Sequence, residues 1–397
     1  MTMASMRSSS ATLLFTGTML AGAGYGATFL LSPYIRARGG TDVDTGLALG
    51  AAMIGTFAGV PLVGWLSGRI DAARMTVVAA VSIACGFLVL AFAGGQGIAL
   101  SRVAGALIGL GWGMFYIGAP MALSERVTDA DRAYWFTRFG AFQMAGIGGG
   151  PVLVNLAIGD FGLAIETAFL LVAVAALAAG ILLAAFGNRA PIPGKGLAIR
   201  PWVRDIVHLA PTPTIRPILM VALGACVFSG LLSFQSSLVE GTAASASTFF
   251  VVYAVTVVGA RIALARFLAR LPQTGLAIGL LFIMVLGVAA MFGLHVHPAF
   301  QVVAAVLTGI GYGLVYSVIQ TWAVNSAAPD RRHAALTWFV LFYFVGVFGF
   351  PVVGGWILVH FGKMALLSAL LVAGTLELVI AATATAIGAR RQVRQTA

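Results

Sequence analysis

Arg102 and Arg138 stand inside long apolar runs, where a charged side chain costs about 2.5–3.5 kcal/mol on insertion scales and so calls for a reason. The same runs carry neutral polar and aromatic side chains: Tyr25, Tyr116, Gln143, Gln235, Tyr253, Tyr316, Gln320 and Tyr343. Together they suit the reversible holding of a solute. Guanidinium groups meet an acid, amides and phenols exchange hydrogen bonds, and rings stack. They do not suit bond-making, because no His/Asp or Cys/His cluster lies within the runs. His295 and His297 are too few for a metal site, and GAGYG at 22–26 lacks the Lys-Ser/Thr of a phosphate loop. No enzyme, cofactor or metal is expected. Glu166 and Glu240 fall at the ends of runs, the first run has no carboxylate, and Glu377 lies deep in the last run as a candidate proton site.

The elements that carry these residues follow from composition. Charged residues make up 9% of the 397-residue chain and apolar residues 60%, against about 25% charged in soluble domains. The apolar stretches repeatedly reach the roughly 20 residues that span a bilayer as helix. They do not alternate, which disfavours strands. Runs near 12–35, 45–67, 75–94, 98–123, 134–157 and 163–186 are followed by runs near 216–238, 248–269, 274–294, 299–324, 334–358 and 364–387. The first is too long for a signal-peptide core and reads as a retained helix. The predicted fold is an all-α integral membrane protein of 12 transmembrane helices in two six-helix halves, 1–187 and 216–397, joined by a linker at 188–215. A short amphipathic helix near 201–209 is expected on the membrane surface. Cys85 and Cys226 read as small buried thiols, with no disulfide framework.

Basic residues set the orientation. With the N-terminus in the cytoplasm, the inner loops hold Arg69, Arg74, Arg126, Arg132, the linker cluster, Arg266, Arg270, Arg331, Arg332 and the tail arginines. The outer loops hold mainly Arg36, Arg38 and Lys363. Both termini are then cytoplasmic. The net charge of +11 is a topology signal and a lipid-facing rim, with no need for a nucleic-acid partner.

The chain also repeats itself. Gly109, Gly111, Gly113 and Tyr116 in GLGWGMFYIG recur 200 positions later as Gly309, Gly311, Gly313 and Tyr316. In the same register Arg132 meets Arg332, Gly146 and Pro151 meet Gly346 and Pro351, and Phe161-Gly162 meets Phe361-Gly362. Composition bias would not keep Arg, Pro and aromatic positions in one frame, so the halves are parallel repeats. On a helix, Gly105, Gly109 and Gly113 make a stripe that lets a second backbone approach closely. Arg102, Tyr116 and Pro120 fall within about 40° of its centre line, which predicts that they edge a wet cavity.

These features resemble the major facilitator superfamily over the whole chain. GWLSGRIDAAR at 64–74 matches the family's loop motif at Gly64 and Arg69, with Gly68 in the Asp position and Asp71 close by. ARFLARLP at 265–272 matches at Arg270, with Ala269 in the Asp position. Arg102 fits the family's helix 4 arginine. GIGGGP at 146–151 fits, through Gly146, Gly150 and Pro151, the helix 5 pattern of many antiporters, with Val154 in place of the later glycine. Within the superfamily the chain looks most like the 12-helix arabinose-efflux and drug-efflux group.

The resemblance implies a monomeric secondary transporter of the inner membrane. It would move a small organic molecule by alternating access, as a proton-coupled exporter. An organic-anion importer or exchanger is the alternative, resting on Arg102 and Arg138 with few buried carboxylates to balance them. A membrane-embedded lipid-handling protein lacks a reactive cluster. The family lines its cavity with helices 1, 4, 7 and 10, which favours Tyr25, Arg102, Tyr116, Gln235, Tyr316 and Gln320 as substrate-binding residues, joined by Arg138 and Tyr343. Arg69, Arg74, Glu125 and Arg270 are expected to gate, with Glu125 pairing with Arg69 or Arg74. Its repeat partner, Asn325, would make that latch one-sided.

Overall fold

The computed structural model describes residues 8–67, 69–190, 205–268, 272–328 and 331–396. Among these residues the chain is helical, without strands. Ten helices are long and apolar enough to cross a membrane. One of them, Ala334–Thr383, runs for 50 residues, but Gly362 inside it has φ 82° and ψ −179°, so it is two helices joined at a turn. Ala246–Leu268 is another membrane helix, its apolar part Ala246–Arg261 being shorter. The architecture is therefore a 12-helix membrane bundle.

The chain divides into two compact units, Met1–Pro201 and Trp202–Ala397. The first contains α1 (Ser8–Ala27, continued by short turns to Arg36), α2 (Asp42–Leu66), α3 (Ala72–Phe92), α4 (Gly97–Ser124), α5 (Asp129–Gly159) and α6 (Ile165–Arg189). The second contains α7 (Ile215–Ser233), α8 (Ala246–Leu268), α9 (Gln273–Ala290), α10 (Ala299–Asn325), α11 (Arg332–Phe344, running on to Gly362) and α12 (363–396). In each unit the fourth helix packs between the second and third, the first against the fifth and sixth, and the sixth against the third. The sequence repeat is thus a packing repeat within each half.

The turns repeat too. Gly162 (φ 63°) and Gly362 (φ 82°) each follow a phenylalanine at the exit of the fifth helix. A positive φ is where only glycine sits without steric cost. One difference between the halves lies nearby: α11 makes a π-helical turn at Val345–Gly349, just before Pro351, whereas α5 runs straight through Pro151. Proline has no N–H to give to the preceding turn, and a wider turn accommodates that loss.

The short helix Asp205–Leu209 precedes α7. Leu209 is buried with Ala327, Ala334 and Ala335, while Val207 is 71% exposed. The short amphipathic helix expected near 201–209 has a described part with one buried and one exposed side. Residues 201–204 lie outside the described residues.

Candidate functional site

The glycine stripe settles what each half is built around. A Cβ on Gly105 would lie 2.1 Å from the Ala48 carbonyl oxygen, on Gly109 1.9 Å from that of Ala52, and on Gly113 2.9 Å from that of Thr56. The fit is reciprocal, since Gly55 and Gly59 on α2 sit equally close to the Ala106 and Leu110 carbonyls of α4. Thr56 Oγ1 donates to the Gly109 carbonyl at 2.9 Å, closing the seam. The repeat is looser. Gly309 faces the Thr256 side chain at 3.1 Å and Gly313 the Val257 side chain at 2.9 Å. The reason is on the partner helix: where α2 offers Ala48, Ala52, Gly55 and Gly59, α8 offers Tyr253, Thr256 and Val257.

The seam redirects Arg102. Its face of α4 packs on α2, and the start of α2 carries Asp44, whose side chain closes a capping box with Thr41. Arg102 Nη2 lies 3.6 Å from Asp44 Oδ1, with the arginine side chain 51% exposed. The arginine expected to stand without a balancing carboxylate therefore has one, because the close α2–α4 approach brings Asp44 to the end of the stripe. Arg138 is exposed, with its guanidinium over the Tyr134 ring at 5.2 Å.

Aromatic side chains fill the interior of each half. Tyr25 stacks on Trp112 with centroids 4.4 Å apart and planes at 3°. Phe29 meets Tyr25 edge-on, Phe115 stacks on Trp112, and Tyr116 meets Trp112 edge-on at 5.9 Å. Trp112 is fully buried, and its indole Nε1 has no hydrogen-bond partner. Indole N–H groups usually find a partner when buried, which sets this donor apart from the rest of the stack. In the second half Phe228 stacks on Tyr312 at 5.0 Å and 13°. Tyr316 meets Phe339 and Tyr343 edge-on at 5.4 and 5.3 Å. Gln235 follows the break in α7 at Phe234, is fully buried, and has neither amide atom hydrogen-bonded. Gln320 is half-buried on α10.

The structure thus brings Tyr25 and Tyr116 together in one half, and Tyr316 and Tyr343 in the other. Arg102 faces Asp44 instead, and Arg138 faces the Tyr134 ring. Trp112 was missed by the sequence reading, although the repeat holds its signal: Trp112 and Tyr312 occupy the same slot between paired glycines.

At the end of the first half where the α2–α3 loop lies, Arg126 is the organising cation. It is 4% exposed. Nη2 donates to Asp71 Oδ2 at 2.8 Å, Nε to the Ala190 carbonyl at 2.6 Å and Nη1 to the Ala122 carbonyl at 3.0 Å. Its guanidinium also lies over the Phe186 ring. Asp71 Oδ1 meanwhile accepts from Ala73 N–H and caps α3. One arginine so ties the start of α3 to the ends of α4 and α6. Glu125 meets Arg126 at 3.5 Å, which corrects the expected pairing with Arg69 or Arg74. Arg69 lies over the Trp65 ring at 4.1 Å, and Arg74 is exposed. Arg69 lies in the loop beyond Leu66 and Arg74 in the first turn of α3, both exposed, while Arg126, in the turn after α4, is the buried one. Arg270 lies outside the described residues.

The family model described as Major Facilitator Superfamily matches residues 14–351. The chain belongs to the major facilitator superfamily. Solved structures of the same fold include a variant of the nucleoside transporter NupG, 14% identical with a TM-score of 0.73, covering 95% of this chain and 99% of that one. The peptide transporter POT in complex with sulfate is 17% identical with a TM-score of 0.73, covering 96% of this chain and 94% of that one. Comparison with curated protein sequences returns no match. As a member of the superfamily the chain is a multi-pass membrane transporter.

Proposed function

We propose that this protein is a proton-coupled secondary exporter of a small organic molecule, working by alternating access in the inner membrane with both termini cytoplasmic. The halves 1–187 and 216–397, joined by the linker at 188–215, act as the moving bodies. The observation that carries the reading is the glycine–proline segment of α5. A Cβ on Gly146 would lie 2.0 Å from the Met19 carbonyl oxygen, and one on Gly150 2.3 Å from that of Ala23. Gly22 and Gly26 on α1 answer with equally close approaches to the Gln143 and Ile147 carbonyls. Backbones in such contact leave no room for water between them. The segment has in part, with Val154 in place of the later glycine, the form that antiporters of the superfamily carry, and a sealed α1–α5 seam suits a carrier that must not leak its coupling ion. The orientation rests on the basic residues of alternate loops.

The substrate-binding groups in this reading are Tyr25, Trp112 and Tyr116 in one half and Gln235, Tyr316, Gln320 and Tyr343 in the other. They offer stacking surfaces and neutral hydrogen-bonding groups, with the unpartnered atoms of Trp112 and Gln235 as anchors. Organic-anion exchange is the second reading. With Arg102 held by Asp44, it rests on Arg138, exposed on α5. A thermal-shift screen on purified protein, followed by proteoliposome flux of the hits with and without a pH gradient, tests the assignment. Gradient-driven accumulation supports it. Flux that only equilibrates the compound, whatever the gradient, contradicts it.

A further inference from the structure

Glu377 is a carboxyl in the place of an aliphatic residue. Leu366, Leu370, Ala373 and Ala381 form the buried face of α12, and Glu377 sits on it at 1% exposure. Its neighbours Leu376 and Val379 are 49% and 48% exposed, so α12 turns them outward and presents Glu377 to the bundle. Opposite lies Gly224 of α7. A Cβ there would stand 2.7 Å from Glu377 Oε2 and 2.9 Å from Oε1. The missing side chain of Gly224 is a notch, and the carboxyl group fills it. Oε2 has no hydrogen-bond partner.

Among the described residues, the elements packed on α12 bring no cation close to this buried acid. On α7 the titratable side chains are Cys226, two positions beyond Gly224, and Arg216, eight positions before it, about 12 Å along a helix axis. On α12, Lys363 and Arg390 lie 14 and 13 positions from Glu377, about 20 Å in each direction. The other elements packed on this helix, α9 and the turns Met291–Gly293 and Val345–Gly349, have no titratable side chain. A structural acid would have a partner, and a packing residue would be apolar. A group that gains and loses a proton during the cycle needs neither.

We infer that Glu377, seated in the notch at Gly224, is the proton-carrying group of the second half. The inference rests on the proton-coupled reading and names its coupling site. The step is a simple exchange: carboxylate and hydronium become carboxylic acid and water, and the reverse step releases the proton on the other side. It couples to movement because an unpaired charge is unfavourable in a dry contact. Gain or loss of the proton therefore changes the stability of the α7–α12 packing, and Gln235 follows α7 directly past the break at Phe234. The notch is the mechanical part, since it holds the acid against α7.

The test compares the full-length wild type with Glu377→Gln, a neutral variant of the same shape, in lipid. Infrared spectra recorded across a pH series read the proton directly. The expected result is a carboxylic-acid carbonyl band that changes with pH in the wild type and is missing from Glu377→Gln. Melting temperatures should agree at low pH, with the wild type falling below the variant as pH rises. Spectra and melting curves that match at every pH would overturn the assignment. The leading compound of the thermal-shift screen then reads coupling: Glu377→Gln should lose gradient-driven accumulation, at least tenfold. Glu377 alone is wrong if the wild type accumulates the compound and the variant does so equally well. The coupling reading falls, and the carrier role with it, if the wild type shows no gradient-driven flux. Gly224→Ala gives a second check, because a methyl group in the notch should displace the acid and shift the infrared band.

Discussion

Trp112 lies flat against Tyr25, with centroids 4.4 Å apart and planes at 3°, and the chain builds this contact twice. Tyr312, 200 positions on, stacks on Phe228 at 5.0 Å and 13°. In each half an aromatic from the middle of the fourth helix rests on one from the first. The glycines beside it let the fourth helix come close to its neighbours, and the large ring fills the space left on the remaining side. The first stack also carries the unpartnered indole N–H.

Trp112→Ala should therefore lower stability by about 3–5 kcal/mol, the usual cost of deleting a large buried aromatic. Trp112→Phe keeps a ring on Tyr25 but removes the N–H. It should fold with a small loss in melting temperature and transport at least several-fold more slowly. Thermal unfolding and proteoliposome flux on the two variants separate the packing role from the hydrogen-bonding one. A Trp112→Phe protein with wild-type flux would mean that the indole nitrogen holds nothing.

The two glycine stripes predict an asymmetry. Gly109→Ala places a methyl group 1.9 Å from the Ala52 carbonyl oxygen, a backbone atom that cannot step aside. Gly309→Ala places it 3.1 Å from the Thr256 side chain, which can. The first should cost at least the 1–3 kcal/mol or so typical of overpacking, and the second less than about 1 kcal/mol. Expression level and melting temperature of the two single variants decide the matter, and equal losses would contradict the geometry.

Much of this was legible in the sequence because it rests on residue types with few uses. Long apolar runs mean membrane helices, and Gly105, Gly109 and Gly113 at a spacing of four mean a close helix contact. Phe161-Gly162 and Phe361-Gly362 mark turns that need positive φ. The sites were less legible, because their partners are long-range. Nothing near Arg102 in the chain announces Asp44, which reaches it only because α2 and α4 touch. Arg126 reads as one more loop arginine until α3 and α6 converge on it. Trp112 reads as bulk among glycines, and its importance emerges only from what it lies on.

Arg126→Ala should be among the most damaging single changes outside the aromatic groups. It would remove the cation that Asp71 meets at a buried helix junction, and breaking such a pair costs about 3–5 kcal/mol. Asp71→Asn should cost less, because asparagine still caps α3. Arg69→Ala should be mild, since Arg69 is exposed over Trp65. Melting curves of the three variants should rank in that order. An Arg69→Ala protein less stable than Arg126→Ala would show that the loop, rather than the buried cation, holds this end together.

Arg102→Gln should change stability by about 1 kcal/mol or less, as for other exposed ion pairs. It should also leave the preference among matched anionic, neutral and cationic compounds unchanged in a competition assay. If Arg102→Gln or Arg138→Gln selectively abolishes competition by anions, the organic-anion reading replaces the proposed one.

The central claim is that solute movement is tied to proton movement. Proteoliposomes loaded with a pH-sensitive dye test it most directly. Each compound that raises the melting temperature is added from one side at equal pH, and internal pH is followed. The account predicts a compound-dependent pH change that is absent from protein-free vesicles and reduced at least tenfold by Glu377→Gln. Compounds that bind and equilibrate across the membrane while internal pH stays constant would contradict it.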